Sequence, residues 1–154
     1  MVYLLDTNHC SYILNGNPDV CRRFHQIEQR LVAICPIVQA ELIFMAQNSQ
    51  RQLENIKNVQ NFIRDIESYP ITSITSEVYG EFKAELIRHY GAREKVRRRQ
   101  TKLSDIGIQE SDLWIASVAL QHNFTLVSAD SDFQRIQTVR DLRLKTLYQP
   151  FTGN

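Results

Sequence analysis

The chain has 154 residues, inside the ~100–200 that usually make one domain, and is long enough to hold a core without disulfide or metal staples. Hydrophobic residues make up 43% and charged residues 23%, which excludes a mainly disordered chain, and no stretch approaches the ~18–20 apolar residues of a membrane span. Eighteen basic and 17 acidic residues leave a net charge of +1, yet from Lys83 to Lys102 eight Lys/Arg meet only two Glu, so a segment of +6 sits in a remainder of −5, as suits an anionic partner held near an acidic site.

Val2-Tyr3-Leu4-Leu5 is an apolar run fit for a buried strand, and Asp6-Thr7-Asn8 is a capping cluster that starts a short helix through Leu14. The opening residues carry no basic stretch and an acid too early for a signal peptide, so the chain is expected in the cytoplasm. Asn15-Gly16-Asn17-Pro18 is a turn, followed by a helix over 19–30 with Val20, Phe24 and Ile27 on one face. Leu31 to Cys35 predicts a second buried strand, and Pro36 opens a helix to about Gln47. A further helix is expected over about 51–67, a third strand over 69–74, and a helix over 76–90. The basic segment at about 91–108 reads as a loop or partly helical insert in one domain spanning 1–154. Ser111 to Gln121 is apolar nearly all round, which predicts a central helix. Thr125-Leu126-Val127 is a fourth strand, a short helix is expected near 132–136, and a last strand around 142–147. Strands alternating with helices imply an α/β fold with a central parallel sheet of about five strands.

In such sheets, sites form beyond the carboxyl ends of the strands. Asp6 ends the first strand, Asp130 follows the fourth, Asp112 opens the helix feeding it, and Glu41 lies in the helix after the second. Asp6 and Asp112 have a plain structural reading as helix caps, and Asp130 or Asp132 as a turn residue. Glu41 shares a helix face with Ile37 and Met45, where an ionised carboxylate needs a cation or donors unless it reaches solvent. Clustered carboxylates must take up a proton or share a cation, and hard oxygen ligands suit Mg2+ or Mn2+, which bind phosphate oxygens and support phosphodiester hydrolysis. No GxxxxGK[ST], GxGxxG or GxSxG motif points elsewhere. Cys10, Cys21 and Cys35 form no CxxC pair and read as free thiols. His9, His25, His89 and His122 have no metal-ligand spacing and read as surface or helix-end residues.

Leu4-Leu5-Asp6-Thr7-Asn8, Glu41 in Val-Gln-Ala-Glu-Leu, Ser111-Asp112-Leu113-Trp114-Ile115-Ala116, and Leu126-Val127-Ser128-Ala129-Asp130-Ser131-Asp132-Phe133 together resemble the PIN-domain family, and within it VapC-type toxins of bacterial toxin–antitoxin pairs. The resemblance implies a PIN-like α/β/α sandwich and a Mg2+- or Mn2+-dependent endoribonuclease. Its metal-binding and catalytic acids would be Asp6, Glu41, Asp112 and Asp130, with Asp132 the other candidate for the fourth place and Asn8 and Ser128 as supporting polar residues. It further implies an RNA substrate, a cognate antitoxin and a homodimer. Arg97-Arg98-Arg99, close in sequence to Asp112, are candidate RNA contacts, because acids alone would repel a polyanion. Two other readings are a phospho-accepting signalling domain and a catalytically inactive RNA-binding PIN module. The first is disfavoured by Thr7-Asn8 after Asp6 and by the absence of an Asp in Thr72-Ser73-Ile74-Thr75-Ser76.

Overall fold

The structure is a computed structural model that describes residues 1–27 and 31–148. In chain order the elements are β1 (Tyr3–Leu5), α1 (Thr7–Leu14), α2 (Pro18–Phe24), β2 (Val32–Ile34), α3 (Pro36–Gln47), α4 (Gln52–Asp65), β3 (Glu67–Ser68), α5 (Ser73–Tyr90), α6 (Lys95–Gln100), a 3-10 turn (Leu103–Ile106), α7 (Glu110–His122), β4 (Thr125–Val127), α8 (Ser131–Gln137) and β5 (Arg143–Lys145). The five strands form one sheet in the order β3-β2-β1-β4-β5, every pair parallel. Parallel neighbours need a crossover, and helices supply each one, giving the expected α/β/α layering. Helices on both faces explain why Leu4, Leu5, Ala33, Ile34, Leu126 and Val127 are all fully buried: such strands read as continuous apolar runs instead of alternating ones.

β1 lies at the centre and β4, which arrives more than a hundred residues later in sequence, pairs directly with it, Leu4 opposite Leu126. α7 is the central helix the sequence predicts, with Leu113 and Ile115 through Ala119 buried. It packs against α5, α3 and α8.

Two elements differ from the sequence reading. The helix expected over 19–30 ends at Phe24, residues 25–27 form a turn and bend, and residues 28–30 lie outside the described residues. The strand expected over 69–74 is instead two residues, Glu67–Ser68. Pro70 has no N–H for a ladder, and Thr72 caps α5 through a reciprocal pair with Thr75, so the backbone turns helical where an extended run was expected. In the basic segment, Arg97, Arg98 and Arg99 belong to α6, whereas Leu103, Ile106 and Ile108 are buried in the core. Gly107 (φ +70°) closes the 3-10 turn in the left-handed region, and Arg135 of α8 donates to the carbonyls of Ile106 (2.5 Å) and Gly107 (3.2 Å). No helix of the described residues is long and apolar enough to cross a membrane.

Candidate active site

Parallel strands put all their carboxyl ends on one edge of the sheet, and the acids gather there. Where β1 ends, the Asp6 amide donates to the Val127 carbonyl at 3.1 Å, which aligns the ends of β1 and β4. Asp6 then caps α1, its Oδ1 accepting from the His9 amide at 2.7 Å, and is only 3% exposed. The cap of α1 and a place in the cavity described below coincide in this residue. Glu41 reaches across from the second turn of α3 and accepts from the Thr7 hydroxyl. Asp112 lies in the first turn of α7. Asp130 caps α8, its Oδ1 accepting from the Asp132 amide at 2.9 Å, while its own amide donates to the buried Ser128 hydroxyl at 3.0 Å. Asp6, Glu41, Asp112 and Asp130 all line one small cavity of about 170 Å³, together with Thr7, Asn8, Gln109 and Ser111. Among the described residues, no lysine or arginine lines it.

The crowding has an electrostatic consequence. Burial, and then the charges of Asp130, Asp132, Glu41 and Asp6, push the Asp112 carboxyl up to about 7. Asp132 is also raised, by burial and by Asp130. It lines a neighbouring groove and not the carboxylate cavity. The donor set is therefore all hard oxygen with a shortage of positive charge, which fits Mg2+ or Mn2+. Among the described residues, no three His, Cys, Asp or Glu are drawn tightly enough to enclose a cation unaided. Burial raises the Cys10 and Cys35 thiols and disfavours their thiolates.

The remaining sequence candidates divide. Asn8 is exposed at the cavity mouth, and Ser128 orients the backbone of Asp130. Arg97 pairs with Glu94 (3.2 Å) and Arg98 donates to the Arg93 carbonyl (3.3 Å), both at the surface. Arg99 lines an open groove with Lys83 and Lys102, which shares Gln109 with the carboxylate cavity. Sequence reasoning missed Thr7, Gln109 and His9. Thr7 and Gln109 are signalled only by adjacency to Asp6 and to the start of α7. His9, expected at a surface or helix end, sits in the first turn of α1 but is fully buried, its Nδ1 at 3.0 Å from Asp6 Oδ1. The available signal was its place three residues after a candidate acid, on the same helical face.

The PIN domain family model matches residues 3–139. The chain is 30% identical over 141 residues to "Ribonuclease VapC2" of Rickettsia felis, covering 88% of this chain and 92% of that protein. It is 33% identical over 140 residues to "Ribonuclease VapC1" of Haemophilus influenzae, with the same coverage. Among solved structures, the crystal structure of VapBC2 from Rickettsia felis bound to a DNA fragment from their promoter superposes with a TM-score of 0.74 at 27% identity, covering 95% of this chain and 98% of that one. With the parallel sheet and the acids at its carboxyl edge, these matches make the chain a member of the PIN-domain family, grouped with its VapC proteins.

Proposed function

We propose that the chain is a Mg2+- or Mn2+-dependent endoribonuclease that hydrolyses RNA phosphodiester bonds as the toxin of a toxin–antitoxin pair. The observation that carries this reading is a cavity lined by Asp6, Glu41, Asp112 and Asp130 and, among the described residues, by no basic side chain, in which burial and then the neighbouring carboxylates lift Asp112 to about 7. Such a site is short of a cation, and a divalent ion would hold all the carboxylates ionised. When bound, that ion would polarise the phosphodiester and lower the pKa of the attacking water. Asp6 and Asp112 would hold the cation, with Glu41, which accepts from Thr7, and Asp130, whose backbone Ser128 fixes, completing the set. Asn8, exposed at the rim, offers an amide to the substrate. Lys83, Arg99 and Lys102 in the adjoining groove would neutralise phosphates flanking the bond cut, with Arg97 and Arg98 adding longer-range attraction.

The relatives' names support RNA as the substrate, and the neighbour crystallised as VapBC2 supports an antitoxin partner. We extend both to this chain, together with a homodimer and a cytoplasmic location. A phospho-accepting domain is not favoured, since the family match spans residues 3–139 and the 69–76 segment leads into a helix cap and supplies no acceptor aspartate. An inactive RNA-binding module is disfavoured because the four acids still share one cavity. The deciding experiment incubates purified chain with a fluorescent RNA in EDTA, in magnesium and in manganese, beside Asp6→Asn. Metal-dependent cleavage by the wild type alone is expected. Equal cleavage in EDTA, or by the variant in magnesium, would sink the assignment.

A further inference from the structure

His9 is a polar ring with no exposure, and both of its nitrogens are engaged. Nε2 stands 3.1 Å from the backbone nitrogen of Leu147, a group that can only donate. Nε2 must therefore accept, so the ring proton sits on Nδ1 and is donated to Asp6 Oδ1 at 3.0 Å. The Thr146 hydroxyl, 3.5 Å from Nε2, can donate to the same nitrogen, so the network assigns the Nδ1–H tautomer. The ring is held edge-on to Tyr12, with centroids 5.8 Å apart. Asp6 Oδ1 thus receives two donors, the His9 amide and the His9 ring. Both hydrogen bonds to the Asp6 carboxylate among the described residues thus fall on Oδ1 and neither on Oδ2, and Asp6 lines the carboxylate cavity.

We propose that His9 is a positioning residue for Asp6: its Nδ1–H saturates Oδ1 and fixes the carboxylate so that Oδ2 is presented to the divalent cation. The proposal rests on the reading of Asp6 as a metal ligand. A simpler role would be structural, with His9 only tying the segment after β5 to α1 through Leu147. The two roles use opposite ends of the ring, and that separates them. An asparagine amide nitrogen falls near Nδ1 and an asparagine has nothing at Nε2. A glutamine amide falls near Nε2, where it can accept from Leu147, and leaves Oδ1 without its ring donor.

The experiment measures Mn2+ binding calorimetrically to the full chain, with metal-free melting curves, for the wild type, Asp6→Asn, His9→Asn and His9→Gln. Hydrogen-bonding partners of metal ligands commonly contribute ~10–100-fold in affinity. His9→Gln should melt near the wild type yet lose about that factor in Mn2+ affinity. His9→Asn should melt lower yet keep affinity within about threefold of the wild type, a rescue that a purely structural role does not predict. Wild-type affinity in His9→Gln, or equal losses in both variants, would overturn the proposal. A wild type that binds Mn2+ no better than Asp6→Asn would fail earlier, at Asp6 itself, and the orienting role would fall with it. Nitrogen-15 imidazole shifts of the wild type give a test free of variants: a neutral ring protonated at Nδ1 is required, and a proton on Nε2 refutes the arrangement even if neither variant folds.

Discussion

Replacing Asp112 with Asn should stabilise the metal-free protein at neutral and alkaline pH. In the folded chain the Asp112 carboxyl is lifted from 3.8 to about 7, first by burial and then by Asp130, Asp132, Glu41 and Asp6. The folded state therefore holds this proton more tightly than the unfolded one. The associated stability is complete below about pH 4 and is lost as pH rises to about 7, beyond which the difference is constant. At 1.36 kcal/mol per pKa unit the lift corresponds to roughly 4 kcal/mol. Asp112 is partly open to solvent, so screening reduces this to about 2 kcal/mol. For a chain of this length that is roughly 4–8 °C in melting temperature. Asn keeps the shape of the protonated acid without its titration. Melting curves in EDTA from pH 4.5 to 8 should therefore run together at the acid end, with the wild type falling below the variant as pH rises. Magnesium should close the gap, because a ligand of the folded state stabilises the wild type by mass action. Parallel curves across the whole range, or a variant less stable than the wild type at pH 8, would refute the picture of Asp112 as the focus of carboxylate repulsion.

Glu41→Gln should leave the metal-free melting temperature nearly unchanged while reducing the upward shift produced by millimolar manganese; an undiminished shift would return Glu41 to a solvent-reaching helix residue. In single-stranded RNA binding followed with the Asp6→Asn form in calcium, Arg99→Ala should flatten the slope of log affinity against log salt by ~0.7, and the triple replacement of Arg97, Arg98 and Arg99 by at most ~2. The single-turnover cleavage rate of the otherwise wild-type chain should hardly change, and a collapsed rate would place α6 in the assembly of the site. Leu103→Ala should lower unfolding free energy in urea by about 2–5 kcal/mol, because Leu103 is fully buried although the basic run lies just before it. A loss near zero would mean that the 103–108 segment does not contribute to the core.

The elements legible in the sequence were those whose local chemistry and tertiary place agree. Tyr3–Leu5, Val32–Ile34 and Thr125–Val127 are apolar on both faces and have both faces covered. Pro36 could be read as a first-turn residue because its fixed φ and missing N–H match that place. The third strand was misplaced because Tyr69 and Ile71 do pack on the core, so their apolar character was real while their backbone was not extended ladder. The Thr72/Thr75 capping pair was the stronger signal there. The acids were legible because strand ends are legible: Asp6 and Asp130 each directly follow or closely trail a buried run. His9 was not, because its role depends on Leu147, far along the chain, presenting a backbone N–H to one ring nitrogen.

The pairing of β1 with β4 makes the cavity a late product of synthesis. Asp6 leaves the ribosome early, but its amide has no Val127 carbonyl to meet until the chain has been made through β4, and His9 has no Leu147 until β5 has followed. At ~5–20 residues per second, the interval between Asp6 and Asp130 is roughly 6–25 s. During that interval Glu41 and Asp112 join Asp6 in turn, and the set of four acids stays incomplete. The nascent chain thus has no complete set of the four acids until translation has moved past Asp130, and no His9–Leu147 contact until it has moved past Leu147.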